Sequence, residues 1–412
     1  MDILQARKQY IYIYKMSKFK LEKTLRGDHQ VNSVNFSPDG MRVVSGSGKF
    51  MGGDGVVTIW NAVTGKVENT LLGHSGWVRS VAFSVDGSRI VSGSYDNTVK
   101  IWNAMTGDVE NTLLGHSDVV TSVAFTVDGS RIVSGSFDNT VKIWSAATGE
   151  VENTLLGHSE LVISVAFSVD GSRIVSGSDD NTVKIWNAVT GEVENTLLGH
   201  SEGVRSVAFS VDGSRIVSGS RDNTVIIWNA VTGEVENTLR GHSYGVSSVA
   251  FSVDGLRIVS GSYDKTVKVW NAATGEVENT LQGHSEGVRS VAFSVDGSRI
   301  VSGSWDKTIK IWHNAAMRMA HMALRQKLPE PGLTASIASY LGATKFDQDL
   351  YYQSISRLNT ERARERARRR MKNLNKFNSL YPEGATTKTR KRRSLSKSKS
   401  RPRSKSKKHK SI

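Results

Sequence analysis

From Val67 to Trp102 apolar and polar residues alternate in four short runs, Val67–Leu71, Val78–Ser84, Arg89–Ser94 and Thr98–Trp102. Each run is rich in strand-forming residues and bounded by turn formers, which predicts four short β-strands. Ser84-Val85-Asp86-Gly87 places a glycine, free to take positive φ, between two apolar runs, and Tyr95-Asp96-Asn97 makes the next turn. The pattern then repeats. Tryptophan recurs at Trp60, Trp102, Trp144, Trp186, Trp228, Trp270 and Trp312, each 42 residues after the last, and Gly-His keeps the same step from His74 to His284. A fixed period of this length marks repeated structural units, and four antiparallel strands per unit are the shape of a propeller blade.

The unit resembles the Trp-Asp (WD40) repeat family: Gly-His, then Ser-Val-Ala-Phe-Ser-x-Asp-Gly, then Ser-Gly-Ser-x-Asp-x-Thr-Val-Lys-Ile-Trp and a turn. The likeness covers roughly residues 20–313 and recurs seven times, which implies a seven-bladed β-propeller. The residue after Trp is Asn or Ser (Asn61, Asn103, Ser145), or His313 at the end, where the family usually has Asp; the blade does not need that Asp. Asn314 to Lys327 reads helical, so no outer strand follows His313, and the missing strand is sought at the other end. Lys20–Leu25 parallels Lys66–Leu71 and is expected to pair beside the strand ending at Trp312, removing an open edge. The expected fold class is therefore all-β, a seven-bladed WD-repeat propeller closed by an N-terminal outer strand. Its expected parts are a lead over 1–19, the ring over 20–313, a helical extension over 314–381 and a disordered basic tail over 382–412.

Blade one is irregular: Gly27–Val31 is one residue shorter than Gly73–Val78, and Gly48–Gly53 lengthens the turn before Asp54. Ser47-Gly48-Lys49-Phe50 is not a phosphate loop, because Val43 and Phe50 stand where that loop needs Gly and Ser or Thr.

Each Gly-His is followed at constant spacing by Ser, Asp and Trp. The six sets are His74, Ser92, Asp96 and Trp102; His116, Ser134, Asp138 and Trp144; His158, Ser176, Asp180 and Trp186; His200, Ser218, Asp222 and Trp228; His242, Ser260, Asp264 and Trp270; and His284, Ser302, Asp306 and Trp312. Ser, His and Asp together invite a catalytic reading. The resemblance implies instead a hydrogen-bonded chain that ties each blade together, and six copies argue against one catalytic pocket; buried polar groups require such partners. No catalytic, metal or cofactor residues are expected, and the chain is read as a non-enzyme.

The repeats are near copies, so the chain aligns with itself. Its variation concentrates at three positions per blade. Two positions after Gly-His-Ser stand Trp77, Val119, Leu161, Gly203, Gly245 and Gly287; two further on stand Arg79, Thr121, Ile163, Arg205, Ser247 and Arg289. Before the turn Asp stand Tyr95, Phe137, Asp179, Arg221, Tyr263 and Trp305. In the family these positions form the partner-binding top face, and aromatics with Arg are favoured hot-spot types. Drift at exposed positions rarely leaves residues such as Trp77, Tyr95, Phe137, Tyr244, Tyr263 and Trp305 on a solvated surface. The expected site is Trp77, Arg79, Tyr95, Val119, Phe137, Leu161, Ile163, Arg205, Arg221, Tyr244, Tyr263, Arg289 and Trp305. It divides into an apolar sector on blades two to four and an arginine-rich one on blades five to seven. A protein or peptide with hydrophobic and acidic or phosphorylated anchors would suit it. Such near-identical repeats also resemble the propellers attached to nucleotide-binding immune-type receptors in fungi, which implies recent duplication and divergence.

Composition changes the picture at the C-terminal end. There is no cysteine in 412 residues, which excludes disulfides and thiolate metal sites. No apolar run approaches the ~20 residues needed to span a bilayer, and Met1 to Lys20 lacks a signal-peptide core, so a soluble intracellular protein without membrane partners is expected. Residues 314–412 hold 26 Lys and Arg against 6 Asp and Glu, leaving 28 against 33 in residues 1–313. Asp347 to Lys376 reads as a helix whose second half is a basic stripe with Arg366, Arg368, Arg369 and Arg370. Residues 388–412 carry 13 Lys and Arg and no acid, with Arg390, Lys391, Arg392 and Arg393 followed by Ser-Lys alternation. This tail cannot bury a core. It resembles nuclear localisation sequences and the tails of RNA-associated proteins, and it would hold RNA or DNA through phosphates without base specificity.

Three functions remain open on the sequence. The first is a monomeric scaffold whose top face binds protein while the tail directs it to the nucleus, with the cytoplasm as the alternative location. The second is a nucleic-acid-binding protein acting through the basic helix and tail. The third is a substrate receptor in a ubiquitin ligase assembly, on a faint F-box echo at Leu328–Leu341.

Overall fold

The computed structural model describes residues 18–48 and 53–314. The expected helical extension, the basic stripe at Arg366–Arg370, the cluster Arg390–Arg393 and the long turn of blade one at 49–52 lie outside them. Among the described residues there are 28 strands and no helix. They form seven antiparallel four-stranded sheets, each a blade. In blade two the strands are Val78–Phe83, Arg89–Ser94, Val99–Asn103 and Val109–Leu113, paired in that order. Burial is nearly complete in Arg89–Ser94 and low in Val109–Leu113, so the first strand lies inside and the fourth on the rim.

Local chemistry sets the turns. Gly87 takes φ +70° and donates its amide to Ser84 O at 2.9 Å, as the Asp-Gly turn requires. Asn97 sits at φ 66°, a conformation that Asn tolerates better than most residues. Where Asn replaces the family's Asp after Trp, in five of the seven blades, it is an adequate turn former: Asn103 Oδ1 accepts from the amides of Met105 and Thr106, both at 3.0 Å.

Adjacent blades pack through apolar seams. Between blades one and two, Val44, Val57, Ile59 and Leu71 meet Val78, Val81, Phe83, Ile90 and Trp102. Close approach requires glycine near the end of the second strand: a Cβ on Gly177 would stand 2.6 Å from Val204 Cγ1 of the next blade. A polar ring runs inside these seams. Each inner-strand Ser accepts the amide of a Val one blade on, from Val81 to Ser33 and from Val123 to Ser80, round to Val34 and Ser290 at 3.0–3.1 Å. At six seams an arginine lies over the next blade's inner phenylalanine, as Arg89 does over Phe125 at 5.4 Å. At the seam between blades six and seven, Arg257 instead turns to Glu278 of its own blade at 2.5 Å, and Phe293 is met by Phe19 with ring centroids 6.2 Å apart.

The ring closes through its N-terminal strand, as the sequence predicts. Lys20–Arg26 is the fourth strand of blade seven and pairs antiparallel with Thr308–His313, from Lys20 opposite His313 to Arg26 opposite Thr308. Leu25 is buried in the seam between blades seven and one, beside Ile309, Ile311 and Trp60. Phe19 is buried in the preceding seam, and its carbonyl accepts from Asn279 Nδ2 at 3.0 Å. One short N-terminal segment therefore fastens two seams.

Candidate protein-interaction face

Because strands alternate in direction, the Gly-His connections between blades and the turns that carry Asp share one end of the ring. The six expected tetrads hold that end together. In blade two, Trp102 Nε1 donates to Ser92 Oγ at 2.7 Å, His74 Nε2 lies 2.7 Å from the same oxygen, and His74 Nδ1 lies 2.7 Å from Asp96 Oδ2. One assignment satisfies every group: Ser92 O–H donates to Nε2, and Nδ1–H donates to the carboxylate. The His–Asp distance is 2.6–2.8 Å in all six blades. The sequence reading missed a fifth member. Thr98 Oγ1 donates to Asp96 Oδ1 at 2.6 Å, and Thr140, Thr182, Thr224, Thr266 and Thr308 repeat the bond at 2.6–2.7 Å. In blade one Trp60 Nε1 donates to Ser45 Oγ at 2.8 Å, and the His and Asp links have no counterpart among the described residues.

Burial alone would raise the Asp96 carboxyl, but hydrogen bonds from His74 and Thr98 hold it well below the usual carboxylate range. The same balance lowers Asp138, Asp180, Asp222, Asp264 and Asp306. Burial lowers His284 against the opposing pull of Asp306. The signs agree. An aspartate depressed in the fold gives stability that is full above the unfolded value of about 3.9 and is lost as pH falls through the folded one. His284 gives its full share above about 6.5 and loses it on acidification. The melting temperature should therefore drift down below about pH 6.5 and fall steeply below about pH 4, with a shallower acid limb in Asp180→Asn. Thermal melts from pH 3 to 8 check this, and equal acid slopes in the two proteins would remove the tetrads as its cause.

Above the tetrads lie the variable positions. In every blade the inner strand slips register, between Val78 and Ser80 in blade two, so the residue between is a β-bulge. A bulge re-aims its side chain. The bulge residues are Asn32, Arg79, Thr121, Ile163, Arg205, Ser247 and Arg289. Asn32, Thr121 and Ser247 donate to the carbonyls of Val78, Val162 and Val288 in the next blade. Asn32 carries no signal of this role in the irregular blade one.

The aromatic residues meet one another around the end of the ring. Trp77 lies edge-on to Tyr95 at 5.6 Å, Tyr95 to Phe137 at 6.4 Å, and Tyr263 tilts against Trp305 at 5.5 Å. Tyr95, Trp305 and Tyr244 are exposed, Tyr244 at 65%, and Trp77, Phe137, Leu161 and Tyr263 are half-buried. The apolar sector is smaller than expected. Val119 and Ile163 are each only 7% exposed and belong to the wall beneath the face; Ile163 is the bulge residue of its inner strand, and Val119 directly precedes its own inner strand. The arginine sector is also partly self-satisfied: Asp179 Oδ1 lies 3.5 Å from Arg205, and its Oδ2 3.9 Å from exposed Arg221. Burial nevertheless raises the Asp179 carboxyl, although Arg221 pulls it down.

The comparisons with known proteins agree with this architecture. Seven stretches, 19–61, 65–103, 107–145, 149–187, 191–229, 233–271 and 275–313, match the model of the WD domain, G-beta repeat. A stretch of 66 residues is 41% identical to Nuclear distribution protein PAC1-2 of Uncinocarpus reesii (strain UAMH 1704), covering 15% of this chain and 14% of that protein. The chain thus matches about a seventh of that relative's length. A WD40 propeller is in general a non-catalytic scaffold for protein interaction. Seven matched repeats and seven four-stranded blades place this chain in the WD40 repeat family.

Proposed function

We propose that the chain is a non-catalytic scaffold that binds a protein or peptide through the end of the ring bearing Trp77, Tyr95, Phe137, Tyr244, Tyr263 and Trp305. The observation that carries this reading is the concentration of differences between near-identical repeats at positions of one face, where the aromatic rings among them touch one another. Large, rigid side chains give binding area at little entropic cost, and a cluster of them exposed to water is otherwise a liability. The basic tail, 13 Lys and Arg without an acid over residues 388–412, adds nuclear targeting or a salt-sensitive hold on nucleic acid. That hold is also the whole of the second reading, in which the propeller only supports the tail.

Affinity capture from lysate separates the two. The intact chain, residues 1–313 and a Trp77→Ala/Tyr95→Ala/Trp305→Ala variant are compared across salt concentrations. Protein partners are expected to stay with 1–313 and to be lost from the triple variant. Recovery of nucleic acid alone, lost with the tail and with salt, would make the tail the functional part.

A further inference from the structure

Arg79 and Arg289 occupy the same bulge position in blades two and seven. They are on non-adjacent blades and yet interact. The charged and titratable groups that act on Arg79 are Arg289 and the phenols of Tyr95 and Tyr263, and no carboxylate is among them. Burial, then the like charge of Arg289, pulls the Arg79 guanidinium down to about 10. Both arginines are half-buried, so each keeps some open surface. The Nε atoms of both arginines are buried and have no hydrogen-bond partner, a feature they share with Arg205, so it is the nearby carboxylate and not Nε that sets Arg205 apart. Aromatic faces hold the cations in place: Arg79 lies 5.8 Å from the Tyr95 ring centroid, and Arg289 lies 5.3 Å from Tyr263 and 5.0 Å from Trp305. Arg289 Nη1 also donates to the Tyr263 hydroxyl.

Blade five supplies an internal comparison. There the bulge arginine, Arg205, has Asp179 of the preceding blade at 3.5 Å. Tyr263 of blade six stands in the place equivalent to Asp179, so Arg289 receives a ring and a hydroxyl instead of a carboxylate. A buried cation normally carries its counterion with it. Two that do not, set close enough to repel, form a site short of two negative charges.

We infer that Arg79 and Arg289 jointly bind a doubly charged phosphoryl group carried by a phosphorylated residue of the protein partner. A phosphate monoester brings about −1.5 to −2 charges at pH 7 and three acceptor oxygens, enough to engage two guanidiniums at once. A single carboxylate would leave one cation unmatched. The aromatic rings beside the arginines favour a phosphate presented on a peptide over a free ion, because they offer the flanking residues apolar contact. This inference rests on the reading of the aromatic end as the partner-binding face.

The test uses the full chain and phenylphosphate as the probe, with inorganic phosphate in a parallel titration at fixed ionic strength. Calorimetry should show phenylphosphate binding more tightly than inorganic phosphate. Its affinity should fall at least tenfold in Arg79→Gln and in Arg289→Gln, and less than twofold in Arg205→Gln, whose parent residue already has Asp179. Equal affinity in all four proteins would assign binding to the basic tail and overturn the site, as would tighter binding of inorganic phosphate. Melting temperatures guard against misfolding: relieving the repulsion should leave Arg79→Gln no less stable than the parent. Phosphatase treatment of the lysate should release the captured partner. Capture that survives phosphatase and Arg79→Gln, but is lost in the Trp77/Tyr95/Trp305 triple alanine variant, would remove the phosphate site and keep the binding face. Capture that survives the triple variant as well would remove both.

Discussion

Removal of residues 1–26 is expected to lower the melting temperature by more than about 10 °C and to make the chain self-associate. The segment contributes at three levels. Its backbone supplies the fourth strand of blade seven, with six paired positions against Thr308–His313. Its side chains fill two seams, Leu25 at 2% exposure and Phe19 at 5%. Deleting a buried Leu or Phe side chain costs about 2–5 kcal/mol, so the two together cost about 4–10 kcal/mol before any strand pairing is counted. At about 2–4 °C per kcal/mol, packing alone accounts for at least about 8 °C, and the lost strand pairing carries the shift past about 10 °C. The third contribution is protective: without Lys20–Arg26, Thr308–His313 becomes an open edge with unpaired amides and carbonyls. Calorimetry and size-exclusion chromatography of the truncated chain check both effects. Leu25→Ala isolates the packing share, since it keeps the edge covered and should lower the melting temperature without promoting association. A truncated chain that melts with the intact one and stays the same size would refute closure by this strand.

Much of this architecture was legible because duplication turned one chain into its own alignment. Period, strand runs, closure by Lys20–Leu25 and the six tetrads all follow from spacing, since each depends on residues whose place in the repeat is constant. What escaped the reading was constant too, but silent. The serine of Ser-Val-Ala-Phe recurs in every blade and looks like an ordinary strand residue, yet it forms the hydrogen-bonded ring between blades. Thr98 and its equivalents read as strand formers and turn out to bind the tetrad carboxylates. In both cases the available signal was a polar residue retained in every copy at a position where an apolar one would serve the strand. The bulge was illegible for another reason: it leaves the period unchanged, so nothing in the spacing shows that Arg79 and Ile163 leave the strand's alternation. For that reason the spacing points Ile163 to the surface, whereas the chain buries it. The missing counterions of Arg79 and Arg289 depend on blades two and seven approaching each other on either side of blade one, and only the folded geometry contains that.

The tetrads make the second large prediction, and blade one provides its control. Ser176 is fully buried and is the hub of its blade: Trp186 Nε1 donates to it at 2.7 Å, and it stands 2.7 Å from His158 Nε2. Alanine at this position orphans both partners in a place that water does not reach. An unsatisfied buried group costs about 1–3 kcal/mol, so Ser176→Ala should destabilise by about 3 kcal/mol and lower the melting temperature by roughly 6–12 °C. Ser45 in blade one is also buried, but among the described residues only Trp60 binds its hydroxyl, at 2.8 Å. Ser45→Ala should therefore cost about half as much. The difference between the two variants isolates the histidine link, because the lost hydroxyl, its burial and its tryptophan partner are the same in both. If the two melt together, the His–Asp arm adds nothing to stability, and its retention in six blades has to come from something it positions. The candidate is then the turn that carries Tyr95, Phe137, Tyr263 and Trp305, which directly precedes each tetrad aspartate. In that case Ser176→Ala would weaken partner capture while leaving the ring as stable as Ser45→Ala leaves it, and the tetrad would belong to the binding face more than to the core.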